Sequence, residues 1–314
     1  MSSSLTGSPA SLPDALSSIE LLEPFAQVEL VVLDLDGTLL KDPNDLPNRS
    51  EWRLRSHLTN RLKSRGISLT LATGRAFAGA RPAIDAISRY RDTPVILYNG
   101  SVVATVDGAL LARRSIEKKA VDEVTHTVLR AGGMALFYWL EERLGKLTNE
   151  FAVFVGDGTP PQTEFNGISV CDIESVPAGA SCVAALLWIS DEQKNARLRE
   201  LVSTISGISS TASGSKYIEV RPEGSSKAAG LRELLDHLNV SPKHVMAIGD
   251  NDNDVELLVA VGLSVCVANA SSKAQESSHY RTTYSSSEGV IEALQLVANA
   301  RRLWKGKAKR HGHE

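Results

Sequence analysis

The sequence predicts an α/β protein: a parallel sheet whose chain is interrupted by an inserted α+β module. Three observations carry this. Short apolar runs alternate with stretches of helical periodicity from residue 28 onward. The first three runs each stop on a polar, glycine-containing signature: Asp34-Leu35-Asp36-Gly37, Thr73-Gly74-Arg75 and Asn99-Gly100. Between residues 108 and 218 the texture changes to hairpins and longer amphipathic stretches, after which the first pattern resumes.

Taken in order, Leu30-Val31-Val32-Leu33 is a continuous apolar run, as expected of a strand buried on both faces. Trp52 to Lys63 reads as a helix with Leu54, Leu58 and Leu62 on one face, closed by Gly66. Ile67 to Ala72 reads as the second strand, followed by a helical stretch containing Pro82 and a third strand, Pro94 to Tyr98. Their signatures would point three loops into one crevice at the carboxyl edge, where open α/β sheets bind ligands. In the inserted module, Ser101 to Leu111 reads as a hairpin around Asp107-Gly108 and Glu117 to Arg130 as an amphipathic helix. Strands follow at Ala135–Trp139, Phe151–Val155 and Val183–Ile189, and a charged helix from Asp191 to Ser203. Ser226-Lys227 then opens a helix with Leu231, Leu234, Leu235 and Leu238 at helical spacing. His244 to Ile248 is a strand ending at Gly249-Asp250, Asp252 to Val261 a helix, and Leu263 to Val267 a strand ending at Ala268-Asn269-Ala270. The expected organisation is an N-terminal extension (1–27), a core (28–107 and 219–300), the inserted domain (108–218) and a basic, frayed tail (301–314). The extension is expected outside the catalytic fold, docking through the stretch Ile19–Leu22.

Composition narrows the function classes. A length of 314 residues holds one large or two medium cores. The net charge of −3 supplies no basic field for nucleic acid or a membrane surface. Cys171, Cys182 and Cys266 are scattered without metal-ligand spacing, as in a reducing cytosol. The N-terminus lacks a cationic start before an apolar core, and no apolar run reaches membrane length. A cytoplasmic protein with neither nucleic-acid nor membrane partners is expected. Its oligomeric state leaves no sign in the sequence.

The chemistry concentrates at the signatures. Asp34 and Asp36 deliver two carboxylates to a sheet edge, where they suit Mg²⁺ or merely belong to an Asp-Gly turn. In the first case one carboxylate attacks phosphorus and the other manages the proton on the leaving oxygen. Gly249-Asp250-Asn251-Asp252-Asn253-Asp254 packs three carboxylates and two amides behind a strand. An EF-hand loop from Asp250 needs glycine and glutamate where Val255 and Val261 stand, which leaves a Mg²⁺ site shared with Asp34 and Asp36. The Thr73 hydroxyl and an amide at Gly74 can grip a phosphate oxygen ahead of a helix N-terminus, unless they form an ordinary loop. Arg75 would clamp an anionic substrate or pair with a surface carboxylate. Lys227 opens a helix, where the macrodipole disfavours a cation; it makes sense there if it balances a negatively charged site. Asn99-Gly100 would contact substrate or hold a loop, or form only a hairpin turn. No phosphate-loop GxxxxGK[ST], no well-placed GxGxxG and no GxSxG elbow occurs.

The signatures, in this order, resemble the haloacid dehalogenase superfamily of phosphohydrolases. The likeness is to its Cof-type branch, which carries an α/β (C2B-type) cap between the second and third motifs. Asp34-Leu35-Asp36-Gly37-Thr38-Leu39-Leu40, Thr73-Gly74-Arg75, Ser226-Lys227, and Gly249-Asp250 with Asn253-Asp254 match the four motifs. Ala268-Asn269-Ala270 and Glu288-Gly289-Val290 resemble the branch's closing segment, so the likeness spans residues 28 to 298. It departs at Asn251 and Ala228, where glycine is frequent. The resemblance implies a Rossmann-like parallel-sheet core with Asp34 as nucleophile and Asp36 as acid, then base. It implies Thr73 and Lys227 as phosphoryl ligands. Asp34, Asp250 and the Asp36 carbonyl would bind Mg²⁺, with Asp254 supporting the metal shell and Asn253 orienting the phosphate or Lys227. The expected function is a Mg²⁺-dependent phosphatase for a small phosphorylated metabolite, a sugar phosphate first. Glu219-Val220-Arg221-Pro222, which resembles sugar-phosphate phosphatases of the trehalose and mannosylglycerate type, points that way. A phosphomutase and a non-catalytic phosphometabolite-binding protein are the alternatives. Phe137, Tyr138, Trp139, Glu141 and Glu142 would line the cap's crevice or pack the cap's own sheet.

Overall fold

The structure is a computed structural model that describes residues 8–14, 17–41, 58–87, 93–158, 168–213 and 216–311. In chain order the elements begin β1 (Ala10–Ser11), α1 (Ile19–Ala26), β2 (Leu30–Leu33), α2 (residues 58–63), β3 (Ser68–Leu71) and α3 (Phe77–Ile87). Next come β4 (Val95–Leu97), β5 (Val102–Ala104), β6 (Leu110–Arg113), α4 (Lys118–Arg130), β7 (Met134–Arg143), β8 (Lys146–Val155), β9 (Ser169–Cys171) and β10 (Ser181–Trp188). Then follow α5 (Glu192–Val202), β11 (Ile208–Ser213), β12 (Tyr217–Pro222), α6 (Lys227–Leu238), β13 (Val245–Gly249) and α7 (Val255–Val259). The chain closes with β14 (Leu263–Cys266), α8 (Ser272–Glu276), β15 (Tyr280–Arg281) and α9 (Ser286–His311). They form two compact units: Met1–Thr73 with Pro82–Thr93 and Leu235–Glu314, and Gly74–Arg81 with Pro94–Leu234.

The first unit is built on a parallel sheet of order β1-β15-β14-β13-β2-β3. Every residue of β2, β13 and β14 is buried, which explains why their sequences are near-continuous apolar runs rather than alternating ones, with Ser264 of β14 the one polar side chain among them. Register then does the functional work. Leu33 pairs with both Ile248 and Leu71, so β2, β13 and β3 end level, and the residues that follow emerge side by side at one edge.

The termini contribute more to this unit than the sequence suggests. The segment expected outside the fold supplies an edge strand, β1 pairing with β15, and a helix, α1, packed on α9 with Leu22 and Phe25 buried. The stretch expected to fray from residue 301 instead continues α9. The Arg301 guanidinium donates to the Val28 carbonyl, and Lys305 Nζ lies 3.4 Å from the Arg65 carbonyl oxygen. Of the helix expected over 52–63, residues 58–63 are seen with Leu58 and Leu62 buried; Trp52 and Leu54 lie outside the described residues.

In the second unit the third expected strand, β4, does not join the parallel sheet. It pairs antiparallel with β5 in a three-stranded meander, β4-β5-β6. The cause is local: Tyr98, Asn99 and Gly100 all have positive φ (49°, 52° and 90°), turning the chain straight back so that Leu97 faces Val102. The hairpin alternative for Asn99-Gly100 is the conformation adopted. The remaining sheet, β11-β12-β10-β7-β8-β9, is antiparallel except for β8–β9. It is accompanied by α4 and α5, which bury Val124, Val128, Leu198 and Val202. This is a sheet-containing cap domain, in a unit that takes in Gly74–Arg81 and Pro94–Leu234. Among the described residues, no helix is long and apolar enough to cross a membrane.

Candidate active site

In the first unit, Asp34 follows β2 and Asp250 follows β13, and the level register puts them together. One carboxylate oxygen each from Asp34, Asp250 and Asp254 lies within 4.8 Å of the others. Asp34 is buried and Asp254 is fully so. Three crowded carboxylates, two buried and Asp250 half-buried, repel one another when ionised unless a cation sits among them. Oxygen donors of this kind are what Mg²⁺ takes, so the residues present fit that ion.

The acids have different duties. Asp254 Oδ2 accepts from the amides of Asp250 and Asn251, both at 3.0 Å, folding the loop back on itself. Asn251 caps the turn Asp252–Asp254 from an extended backbone (φ −124°), so the absence of the family's frequent glycine costs this loop nothing. Asp252 faces another way: Lys273 Nζ (2.6 Å) and Ser271 Oγ (2.9 Å) donate to it and hold its carboxyl below the usual range. Asp250 Oδ1 accepts from the Thr38 hydroxyl at 2.6 Å, and its carbonyl accepts from the Ser271 amide at 2.8 Å. Asp36, half-buried two residues after Asp34, is not among the three clustered carboxylates. The loop that carries it is closed by Gly37 N–H to the Leu40 carbonyl (2.8 Å) and Leu40 N–H to the Leu35 carbonyl (2.7 Å). Gly37 has φ +86°, and a Cβ there would lie 2.3 Å from Asp250 Oδ2, so glycine is what lets the loop after Asp34 approach that carboxylate.

Thr38 and Asn269 are residues whose roles no sequence pattern marks. Asn269 Nδ2 donates to the Gly37 carbonyl (3.0 Å) while its Oδ1 accepts from the Ser286 amide (2.8 Å), tying the loop to the start of α9. Both stand inside quoted motifs, yet only the fold reveals these partners. Thr73 is fully buried just past β3, and Asn253 is half-buried in the turn Asp252–Asp254.

The second unit gathers Gly74, Arg75, Asn99, Gly100 and Lys227. Lys227 opens α6 and is 1% exposed; burial and the helix dipole both oppose its charge, so an anion is the natural counterpart. Ser226 caps that helix, its Oγ accepting from the Ala229 amide at 3.2 Å. Gly100 lies against this cap, with a built Cβ 1.9 Å from the Ser226 carbonyl oxygen. Asn99 Nδ2 donates to Glu219 Oε2 (2.7 Å), and Arg75 Nη1 donates to the Gly79 carbonyl of the helix that follows it (3.3 Å). Of the cap residues, Phe137 is buried and the Tyr138 ring sits 6.0 Å from that of Tyr98. Glu141 and Glu142 line a polar cleft with Arg143, Thr148, Asn149 and Gly179.

Residues 31–294 match the family model described as haloacid dehalogenase-like hydrolase. The chain belongs to the haloacid dehalogenase-like hydrolases. Among curated relatives of this hydrolase is an HMP-PP phosphatase of Enterobacter sp. (strain 638), 29% identical over 248 residues, covering 77% of this chain and 84% of the relative. Among solved structures, BT1666 from Bacteroides thetaiotaomicron, described among phosphatases of the superfamily, superposes with TM-score 0.68 at 25% identity, covering 87% of this chain and 96% of the other. The subclass IIB sugar phosphatase BT4131 gives TM-score 0.68 at 17% identity over 87% of this chain and all (100%) of that one, a likeness of fold.

Proposed function

We propose that this phosphatase is Mg²⁺-dependent and hydrolyses small phosphomonoesters, sugar phosphates first, through an aspartyl-phosphate on Asp34. The observation that carries the reading is the meeting of Asp34, Asp250 and Asp254 at one edge of the parallel sheet. Asp34, Asp250 and the Asp36 carbonyl would hold the ion, with Asp254 bracing the loop. When bound, Mg²⁺ offsets the repulsion between Asp34 and an incoming phosphoryl dianion.

The remaining chemistry belongs to the side chains. An Asp34 oxygen attacks phosphorus, the bond from phosphorus to the ester oxygen breaks, and Asp36 gives its proton to that oxygen as the alcohol leaves. Asp36, now ionised, takes a proton from water as the water oxygen attacks phosphorus. The bond between phosphorus and Asp34 breaks, releasing inorganic phosphate and restoring both carboxyls. Thr73, Gly74, Lys227 and Asn253 hold the phosphoryl oxygens, and Arg75 adds charge for an anionic substrate. The segment 108–218 acts as the cap, excluding water and reading the leaving group.

The sugar-phosphate class is supported by the Glu219-Val220-Arg221-Pro222 segment, and HMP-PP by the names of the curated relatives. Purified protein incubated with Mg²⁺ and a panel of sugar phosphates, nucleotides and HMP-PP, with inorganic phosphate measured, tests both. Turnover is expected to vanish on chelation and in Asp34→Asn. An unchanged rate in Asp34→Asn, or isomer formation without phosphate release, overturns the reading.

A further inference from the structure

The helix after the second motif begins without a local cap. Ser, Thr, Asp or Asn would satisfy the first amides of α3, but Arg75-Ala76 precede Phe77. The missing acceptor comes from far along the chain. Glu150 on β8 takes the Phe77 amide on Oε1 (2.9 Å) and the Ala78 amide on Oε2 (2.8 Å). A carboxylate at this end also complements the helix dipole.

The same carboxylate is itself held. The Tyr98 hydroxyl donates to Glu150 Oε1 at 2.7 Å. Tyr98 is buried, and burial, followed by the charge of Glu150, pushes its phenol well above its usual range, keeping it a donor. The Tyr98 amide in turn donates to the Arg75 carbonyl at 3.1 Å. One residue further on, the Asn99 side-chain nitrogen Nδ2 lies 3.1 Å from where a Gly74 Cβ would stand, and donates to Glu219 on β12. The chain from Arg75 to Ala78 is thus held at three backbone groups, the Arg75 carbonyl by Tyr98 and the Phe77 and Ala78 amides by Glu150.

We propose that Glu150 is a positioning residue for phosphate binding, fixing through α3 and Tyr98 the loop that continues from Thr73. The proposal rests on the phosphatase reading above. Glu150 touches backbone and Tyr98 rather than the reacting atoms, so its effect travels through loop geometry. Losing the clamp lets Gly74–Ala78 relax, and displacement of about 1 Å at a gripping loop costs on the order of 10²-fold in rate.

The test compares wild type, Glu150→Ala, Glu150→Gln and Tyr98→Phe, each measured on its folded fraction with Mg²⁺. The readouts are kcat/KM, product inhibition by inorganic phosphate, and hydrogen exchange of the 74–80 segment. Glu150→Ala is expected to lose ~10- to 100-fold in kcat/KM, to weaken phosphate inhibition in step, and to exchange faster at 74–80. The concentration of Mg²⁺ at half-activity should stay put. Glu150→Gln, which keeps one acceptor, should fall between Glu150→Ala and wild type. A Glu150→Ala enzyme with lowered Tm but unchanged KM and phosphate inhibition overturns the positioning role and leaves the phosphatase standing. A wild type that neither turns over the panel nor binds phosphate overturns the phosphatase reading, and this inference with it.

Discussion

Gly37→Ala separates the backbone demands of the loop after Asp34 from its steric ones. Gly37 has φ +86°, and left-handed backbone costs a residue with a Cβ about 1–2 kcal/mol. Gly66, closing α2 at φ +72° with nothing within 4 Å of a built Cβ, incurs the same backbone cost and nothing else. At Gly37 the new methyl also lies 2.3 Å from Asp250 Oδ2. To restore ordinary contact the carboxylate must retreat by about 1 Å. Asp250 is one of the three clustered acids and is also the acceptor of the Thr38 hydroxyl, so it cannot retreat without disturbing the proposed cation site. Gly66→Ala should therefore lose ~1–2 kcal/mol of stability in thermal unfolding, or roughly 2–8 °C in Tm, and Gly37→Ala at least as much. Only Gly37→Ala should lose on the order of 10²-fold in kcat/KM against a phosphomonoester, with weakened Mg²⁺ dependence. Wild-type kcat/KM in Gly37→Ala, or an equal loss in Gly66→Ala, would refute the placement of Asp250 beside the loop.

Two further outcomes follow from the same unit. Phe25 is fully buried with its ring 5.2 Å from that of Tyr280, so Phe25→Ala should lower stability by about 3–5 kcal/mol; a Tm within a degree of wild type would show that α1 is not part of the unit. His279 accepts from the Ser264 amide on Nδ1 (3.1 Å), and burial lowers its pKa, so the fold prefers the neutral ring. That preference stabilises fully above about 6.5, the ordinary value, and is lost as pH falls from there through the lowered folded value. Tm plotted against pH should drop less steeply below 6.5 for His279→Asn than for wild type; parallel curves would contradict this.

How far the sequence reveals this fold depends on how each element is stabilised. β2, β13 and β14 are legible because strands buried on both faces are largely apolar, Ser264 apart, and Lys118–Arg130 because one helical face packs while the other is solvated. β7 and β8 are longer than Ala135–Trp139 and Phe151–Val155 suggest. Their outer halves, Glu141-Glu142-Arg143 and Lys146 to Asn149, pair through backbone at a solvated hairpin tip and need no apolar side chains. β4 misleads for the opposite reason. Its apolar residues announce burial, but apolar content says nothing about the direction of a partner, which three positive-φ residues decide afterwards.

The site divides along the same line. Asp34, Asp250 and Asp254 can be picked out because a metal site needs charge density, and charge density is a property of sequence. Their separate duties cannot, since Asp252 is chemically the same as its neighbours and differs only in having Ser271 and Lys273 to face. Asn99 illustrates the limit most sharply. Read in the sequence, an amide beside a glycine suggests either a turn or a ligand contact. In the fold it serves the turn and, through Glu219, reaches a strand of the cap sheet. Glu150 offers no motif at all, and only the pairing of β8 with β7 brings its carboxylate to the uncapped amides of α3. A motif records the atoms that chemistry needs at fixed spacing. Residues that hold those atoms in place act over distances of chain that no short pattern spans, so substitutions at Glu150 and Asn269 report on the fold's share of catalysis in a way that substitutions at Asp34 cannot.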